Sequence, residues 1–345
     1  MPIALVLEKT RQLALRDIEL DLNTGEHDVR IAMDTVGICG SDVHYYRHGK
    51  IGPFVVNAPM ILGHEGAGRV VACGTKVSNL KVGDRVCIEP GIPDFSNRPS
   101  RIGLYNLDPS LTFWATPPIH GCLTPEVVHP ANLTYKLPDK ISFAEGAMIE
   151  PLAVGLEAVH KTRVAAGDVA LVLGAGPIGI LVALSALAAG CSRVFIFDPA
   201  SEKLDIAARY ENIQPLYAKA GLIAEKIKTL TDGWGVDIVY ECSGAVAAFE
   251  SIADYIRPGG TLACVGMPTD TVPIDIVALQ VKEIRLVTVF RYANVYDRAI
   301  ALLTEGKINV KPLISATYDF NESIEAFSRA DAARPTDVKI QIAMR

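Results

Sequence analysis

The stretch Val169-Ala170-Leu171-Val172-Leu173-Gly174-Ala175-Gly176-Pro177-Ile178-Gly179 decides the fold. It opens with a five-residue apolar run of strand length, and its glycines separate that run from a helical pattern. In such a unit the first glycine makes a tight turn, the second lets the backbone approach a pyrophosphate, and the third permits close packing of helix on strand. Free N–H groups and the helix dipole at the helix start favour a phosphate. The stretch therefore predicts a dinucleotide-binding turn.

A carboxylate follows this turn at the spacing that such a site requires. Asp198 ends the next apolar run, Val194–Asp198, 19 residues after Gly179. A carboxylate there can accept hydrogen bonds from the adenosine ribose hydroxyls and repels the 2′-phosphate of NADP. We therefore expect NAD rather than NADP. The alternative is a glycine-rich turn in an α/β domain that binds no nucleotide, with a coincidental aspartate.

The second half of the chain alternates strand and helix patterns. Further apolar runs of strand length lie at 238–240 and 261–265, with helical patterns at 180–189 and 201–210 and a predicted turn at 257–260. This alternation predicts a parallel sheet with right-handed crossovers.

The first 150 residues follow a different pattern. Short alternating segments at 29–33, 68–72 and 84–88 are separated by Gly, Pro and Asp, which indicates a mostly β domain. Residues 90–120 are rich in proline and resemble a loop. A helix is predicted at 294–305, and periodicity leaves open whether the tail after it returns to the first domain.

Composition excludes several classes of protein. The 345 residues suit two domains, and a formal net charge of −6 offers no basic surface for nucleic acid or anionic lipid. Seven scattered cysteines without a CxxC pair argue against a disulfide framework and for a cytoplasmic protein, and the first residues lack the features of a secretory signal. Residues 169–190 carry no charge, but their glycines and proline favour a buried strand and helix over a membrane span.

Three places in the first domain carry possible metal ligands. They are Cys39 in Gly37-Ile38-Cys39-Gly40-Ser41-Asp42-Val43-His44, His64 with Glu65, and Glu150 before a proline. A thiolate, an imidazole and a carboxylate suit a four-coordinate zinc that keeps one open position. Each residue taken singly has an ordinary alternative, since a lone cysteine is usually a small buried hydrophobe.

The chain resembles the zinc-containing medium-chain dehydrogenases/reductases. The resemblance rests on Gly63-His64-Glu65-x-x-Gly68, on Val82–Val86, and on the order of these motifs relative to Cys39-Gly40-Ser41-Asp42 and the glycine turn. It covers essentially the whole chain. The segments Ala115–Pro118, Ile149–Leu152 and Phe290-Arg291-Tyr292 narrow it to the sorbitol/xylitol dehydrogenase branch.

The resemblance implies a fold and a set of site residues. It implies a mostly β, GroES-like catalytic domain at 1–152 and 291–345 and a doubly wound Rossmann domain at 153–290. Cys39, His64 and Glu65 are expected to hold one zinc, with Glu150 as an alternative ligand or the partner of a bound water. Ser41 and His44 are expected to relay the alcohol proton, although both residues could simply stabilise their loop.

The implied contacts to cofactor and substrate are more numerous. Those to NAD are Gly174, Gly176, Pro177, Ile178, Gly179, Asp198, Lys203, Val265 and Phe290. Those to substrate are Tyr45, Thr116, Arg291, Tyr292 and Glu150. A site of several donors and acceptors suits a polyol, and Arg291 offers five donors in a rigid fork.

The sequence departs from the broader superfamily in one respect. Many members carry a structural zinc held by four closely spaced cysteines, whereas here no cysteine lies between Glu89 and Cys122. We therefore expect one zinc per subunit, with the lobe at 90–120 held by packing, and as a further hypothesis at a subunit interface.

The function implied is zinc-dependent oxidation of a polyol with NAD. The leading reaction is xylitol to D-xylulose, with D-sorbitol to D-fructose as a second activity. The alternatives are an enzyme for another secondary alcohol, such as L-arabinitol, galactitol or butanediol, and a non-catalytic NAD-binding protein. A homotetramer is expected from the resemblance, with neither nucleic acid nor membrane as a partner.

Overall fold

A computed structural model of the chain describes residues 3–344, which divide into two compact units. The first unit contains 3–150, 296–306 and 314–344 of these residues, and the second contains 151–295 and 307–313. The boundaries predicted from the sequence lay at 152/153 and 290/291, and 307–313 was not assigned to the second domain. A helix, Ile149–Thr162, runs across the first boundary, so no loop signal marks it.

The first unit is built mainly from short strands. Its amino-terminal part contains β1 Ile3–Lys9, β2 Gln12–Asp17, β3 Asp28–Gly37, β4 Lys50–Ile51, β5 Phe54–Val55, β6 Met60–Ile61, β7 Glu65–Cys73, β8 Arg85–Ile88, β9 Gly91–Ile92, β10 Thr112–Phe113, β11 Glu126–Pro130 and β12 Thr134–Lys136. The helices are α1 Gly40–His48, α2 Arg98–Arg101 and α3 Phe143–Gly146, and α4 Ile149–Thr162 begins here and continues into the second unit. One face of the sheet covers the core, so the residues of β3 alternate between buried and half-buried positions. This explains the alternating sequence pattern of this segment.

The second unit has a six-stranded parallel sheet. Its strands are β13 Val169–Leu173, β14 Arg193–Phe197, β15 Ile213–Pro215, β16 Val236–Glu241, β17 Ile256–Cys264 and β18 Arg285–Thr288, and its helices are α5 Pro177–Ala189, α6 Ser201–Ala207, α7 Ile223–Leu230, α8 Val246–Phe249 and α9 Ile276–Gln280. The strand order is β15-β14-β13-β16-β17-β18, so the order reverses beside β13. Ligands of such sheets bind at the carboxyl ends of the strands near this reversal.

The tail of the chain completes the first unit. It contains α10 Tyr296–Thr304, β19 Ile314–Asp319, α11 Ser323–Asp331 and β20 Lys339–Ala343. β20 pairs antiparallel with β3, with Gln341 opposite Gly37, and the seven-stranded sheet runs β12-β8-β7-β3-β20-β19 with β11 also paired to β3. The tail therefore does return to the first domain.

Two sequence features read differently in the structure. The sequence predicted a turn at 257–260 that precedes a strand beginning at 261, and this prediction is wrong. β17 already begins at Ile256, and its pairing with β16 is irregular between Ile256 and Thr261. Gly259 keeps the positive φ of 70° that its turn-like sequence suggests. The uncharged stretch at 169–190 is β13 followed by α5, and within residues 3–344 no helix is long and apolar enough to cross a membrane.

Candidate active site

Three potential metal ligands converge in the first unit. The ligand atoms of Cys39, His64 and Glu65 all lie within 4.8 Å of one another. Cys39 directly precedes α1, and Glu65 opens β7, whose first residue pairs with Gly37 at the end of β3. The sheet therefore brings together a loop thiol and two residues from a strand start. A thiolate, an imidazole and a carboxylate form a donor set that fits zinc with one open position.

Asp42 organises this cluster. It is fully buried on α1, and its carboxylate accepts hydrogen bonds from the backbone N–H of Cys39 and of Gly63, each at 3.0 Å. Its Oδ1 also lies 3.7 Å from Nδ1 of His64. A carboxylate behind Nδ1 orients an imidazole so that Nε2 can face a metal. The sequence motif contained Asp42, but no sequence signal assigned it this position.

The electrostatics of the cluster favour a cation. Burial alone lowers the pKa of His64, but the negative charges of Asp42 and Cys39 raise that pKa well above its usual value. His64 Nδ1 is buried without a hydrogen-bond partner. The surroundings that favour a proton on this imidazole would equally attract a divalent cation, since metal and protons compete for the same donor atoms.

The other residues expected to take part in the reaction are Ser41, His44 and Glu150. Ser41 and His44 lie on α1, both half-buried. Partial burial and the neighbouring His48 and Arg47 lower the pKa of His44, which keeps its imidazole ready to accept a proton. Glu150 is buried in the first turn of α4 and interacts electrostatically with Lys339, but it is outside the group of three potential ligands.

The dinucleotide turn has the geometry that its sequence predicts. Gly174 has a φ of 101°, and a Cβ on Gly179 would lie 1.8 Å from the carbonyl oxygen of Gly174. Only glycine therefore allows α5 to start so close to β13. A Cβ on Gly176 would meet nothing within 4 Å, so the space in front of the helix start is open to a phosphate.

Asp198 lies directly beside this turn. Its Oδ2 accepts a hydrogen bond from the backbone N–H of Ala175 at 2.9 Å, and its Oδ1 accepts one from Ala200 at 2.9 Å. Lys203 Nζ lies 3.7 Å from Oδ2. Asp198 therefore holds the glycine turn in place through the backbone N–H of Ala175.

The remaining predicted residues are distributed over both units. Tyr45 and Thr116 belong to the first unit, and Tyr45 is buried at 3% exposure. Phe290, Arg291 and Tyr292 belong to the second, where the guanidinium of Arg291 lies over the ring of Phe290 at 4.9 Å. Val265, also in the second unit, follows β17 at the carboxyl edge of the parallel sheet and donates its backbone N–H to the carbonyl of Glu241.

The lobe at 90–120 is held by a hydrogen-bond network around Asp108. This buried carboxylate accepts hydrogen bonds from Ser100 Oγ at 2.7 Å, from Asn97 Nδ2 at 2.9 Å and from the backbone N–H of Ser110 at 2.7 Å. The sequence predicted that packing holds the lobe and did not indicate this network. Asp108 carries a side chain typical of loops, so nothing in the sequence distinguished it.

A second buried carboxylate, Glu89, joins the lobe to the sheet. It accepts hydrogen bonds from the hydroxyls of Tyr105, in the lobe, at 2.6 Å and of Tyr135, on β12, at 2.8 Å. Burial raises the pKa of Glu89 to about 7, and the two hydroxyls only partly oppose that effect. Glu89 thus titrates near neutrality inside the first unit.

Glu89→Gln is expected to change the pH dependence of stability. Because the folded pKa of about 7 exceeds the ordinary 4.5, the favourable contribution of Glu89 is complete below pH 4.5 and is lost as the pH rises to 7. Relative to the neutral variant, the wild type should lose about 3 kcal/mol of unfolding free energy over that range. Denaturant unfolding of both proteins at pH 5 and pH 8 measures this difference. If the unfolding free energies of wild type and variant differed by the same amount at pH 5 and pH 8, Glu89 would have an ordinary pKa.

Comparison with known proteins agrees with this geometry. Residues 177–305 match the zinc-binding dehydrogenase family, and residues 25–139 match the alcohol dehydrogenase GroES-like domain. The structure of 2R,3R-butanediol dehydrogenase from Bacillus subtilis superposes with a TM-score of 0.91 at 28% identity, covering 100% of both chains. The predicted fold class, a Rossmann sheet with a mostly β GroES-like domain, is therefore confirmed.

Two relatives narrow the family further. The D-xylulose reductase of Morganella morganii is 55% identical over 328 residues, which cover 95% of this chain and 97% of the relative. The sorbitol dehydrogenase of Rattus norvegicus is 42% identical over 310 residues, which cover 89% of this chain and 86% of the relative. The chain therefore belongs to the zinc-binding dehydrogenase family, in the branch that contains D-xylulose reductases and sorbitol dehydrogenases.

Proposed function

We propose that this enzyme oxidises a secondary alcohol of a polyol to a ketose, with zinc and NAD as cofactors. The leading reaction is xylitol to D-xylulose, and D-sorbitol to D-fructose is the second. The observation that carries the proposal is the convergence of Cys39, His64 and Glu65, in a chain that is 55% identical to a D-xylulose reductase. A non-catalytic NAD-binding protein would have no reason to keep this donor set.

The proposed mechanism assigns tasks to this chain's own residues. Cys39, His64 and Glu65 would hold the metal, with Glu150 acting through a bound water. When bound, zinc would act as a Lewis acid toward the alcohol oxygen, and NAD would supply the hydride acceptor. The Ser41 hydroxyl takes the alcohol proton and passes it to the His44 imidazole, which releases it to solvent.

The cofactor and substrate contacts extend the same proposal. The turn at 174–179 would bind the NAD pyrophosphate and Asp198 the adenosine ribose, with further contacts from Lys203, Val265 and Phe290. Polyol hydroxyls would be bound by Tyr45, Thr116, Arg291, Tyr292 and Glu150. Because a site that hydrogen-bonds hydroxyls leaves its own groups unpaired with a deoxy analogue, such analogues should be rejected strongly.

The direct test measures the initial rate of NADH formation from xylitol and NAD. We expect a rate that chelation removes and added zinc restores, since the alcohol proton is lost too slowly without the metal. D-sorbitol, L-arabinitol, galactitol and 2,3-butanediol serve as the comparison panel. A rate confined to butanediol would move the function to simple secondary alcohols, and zinc-loaded protein inactive on the whole panel would contradict an enzyme of this class.

We further propose a homotetramer located in the cytoplasm. The lobe supports self-association because Phe95, Ile102, Leu104 and Leu107 are all more than 40% exposed, and such apolar clusters commonly mark protein interfaces. All seven cysteines are free thiols, as a reducing compartment requires. Light scattering that gives the mass of one subunit, 37.0 kDa, would contradict the tetramer, and cell fractionation would test the location.

A further inference from the structure

A buried lysine is paired with one of the potential metal ligands. Lys339, the first residue of β20, is 3% exposed, and its ammonium donates to Glu65 Oε1 at 2.6 Å and to Oε2 at 2.7 Å. The ammonium also donates to the backbone carbonyl of Ile38 at 3.1 Å. A buried charge is tolerated only when it is paired and hydrogen-bonded, and these three contacts use all three donors of the ammonium.

The backbone around this pair is shaped to hold it. β20 runs beside β3, and the N–H of Ile38 donates to the carbonyl of Ile340 at 2.9 Å, which fixes Lys339 next to Cys39. Gly37 lies opposite Glu65, and a Cβ on Gly37 would lie 2.1 Å from Glu65 Oε2. The carboxylate therefore occupies space that only a glycine at 37 leaves free, and it lies within reach of Lys339.

The charges of Lys339 and Glu65 should affect both the affinity of the site for a metal and the charge that the bound metal keeps. A thiolate at Cys39 and a carboxylate at Glu65 together neutralise a divalent cation, which weakens its pull on an alcohol oxygen. The ammonium of Lys339 offsets the carboxylate and competes with the metal for its oxygens. It should therefore weaken metal binding while leaving the bound cation with more net positive charge.

We propose that Lys339 is a positioning residue for Glu65, which lowers the affinity of the site for zinc and increases its Lewis acidity. The proposal rests on the zinc site assigned above. Lys339 acts through the Glu65 carboxylate, whose charge its ammonium offsets. A lysine that merely filled the core would affect stability without this opposite effect on zinc binding and turnover.

The test compares zinc affinity and turnover in Lys339→Met and Lys339→Gln. Zinc affinity, measured by competition with a chromophoric chelator, should rise ~10-fold or more in both variants, because Glu65 loses its competing partner. The kcat for xylitol should fall by a similar factor while the KM for NAD stays unchanged. The glutamine variant keeps a hydrogen-bond donor toward Glu65, so it remains informative if the methionine variant does not fold.

Three controls make the result specific. Lys136→Met removes another ion-paired lysine from the same sheet, one that bonds Asp84 at 2.7 Å, and should leave zinc affinity unchanged. Lys339→Arg keeps the charge and should retain the wild-type affinity. In a Glu65→Gln background, Lys339→Met should no longer raise the affinity, because the group through which the lysine acts is gone.

The outcomes separate this inference from the proposed function. Unchanged or weaker zinc binding in both folded Lys339 variants, with normal binding by the wild type, would overturn the role of Lys339 alone. Wild-type protein that binds no zinc would overturn the metal site together with this inference. Tighter binding that persists in the Glu65→Gln background would show that the lysine does not act through Glu65.

Discussion

Cys39→Ala is expected to abolish zinc binding and to reduce xylitol turnover by at least ~1000-fold. Cys39 supplies the only thiolate among the three potential ligands, so its loss leaves two donors for a metal that is held by three protein ligands in catalytic sites. Zinc lowers the pKa of a bound water to about 7, and loss of a comparable effect on an alcohol would slow turnover by several orders of magnitude. NAD binding should remain, because the phosphate turn belongs to the other unit.

The measurement combines metal analysis of purified protein, NADH formation from xylitol, and NAD binding by fluorescence. Cys73→Ala is the matched control, since it makes the same chemical change on β7 outside the group of ligands. This control should bind zinc and turn over normally. Normal turnover in Cys39→Ala would end the zinc mechanism, whereas parallel loss of zinc and NAD binding would indicate misfolding.

Replacing Asp198 is expected to change cofactor preference. Asp198→Ala combined with Pro199→Arg should raise the ratio of kcat/KM for NADP to that for NAD on the order of 100-fold, because a repulsive charge at the 2′-position becomes an attractive one. Lys203, released from its ion pair with Asp198, adds to the effect. Loss of the acceptor for the backbone N–H of Ala175 should weaken the turn for both cofactors alike, so it should not change their ratio.

The ratio of the two cofactors is therefore the informative measurement. Asp205→Ala is the matched control, because it removes an exposed carboxylate from α6 that bonds the hydroxyl of Tyr217. That variant should keep the wild-type preference. An unchanged ratio in the double variant would mean that the ribose carboxylate has been misassigned.

Much of this arrangement could be predicted because it is local in the chain. β13 has the bounds that its apolar run predicted, and the glycines at 174, 176 and 179 each have the conformation or the free space that their motif requires. Hydrophobic periodicity and turn residues act over a few positions, so the sequence alone indicates the structures that they form. The convergence of Cys39 with His64 was expected only from the family resemblance.

The rest depends on contacts between distant residues. Lys339 is separated from Glu65 by 274 positions, and it lies in a strand whose alternation looks ordinary. A lysine within a buried strand signals that some partner exists, but sequence alone does not identify it. The hydrogen bonds that Glu89 accepts from Tyr105 and Tyr135 could not be predicted for the same reason, because they depend on strand register and burial.

The late position of β20 in the chain imposes an order on biosynthesis. Cys39, His64 and Glu65 leave the ribosome long before the strand that lies beside β3 and carries Lys339, which is 274 positions after Glu65. The second unit is almost continuous in sequence and can fold while the first still lacks that strand. A nascent chain that lacks β20 would thus carry all three potential ligands with Glu65 not yet paired to Lys339. By the role proposed for Lys339, such a chain should hold zinc more tightly than the folded protein does.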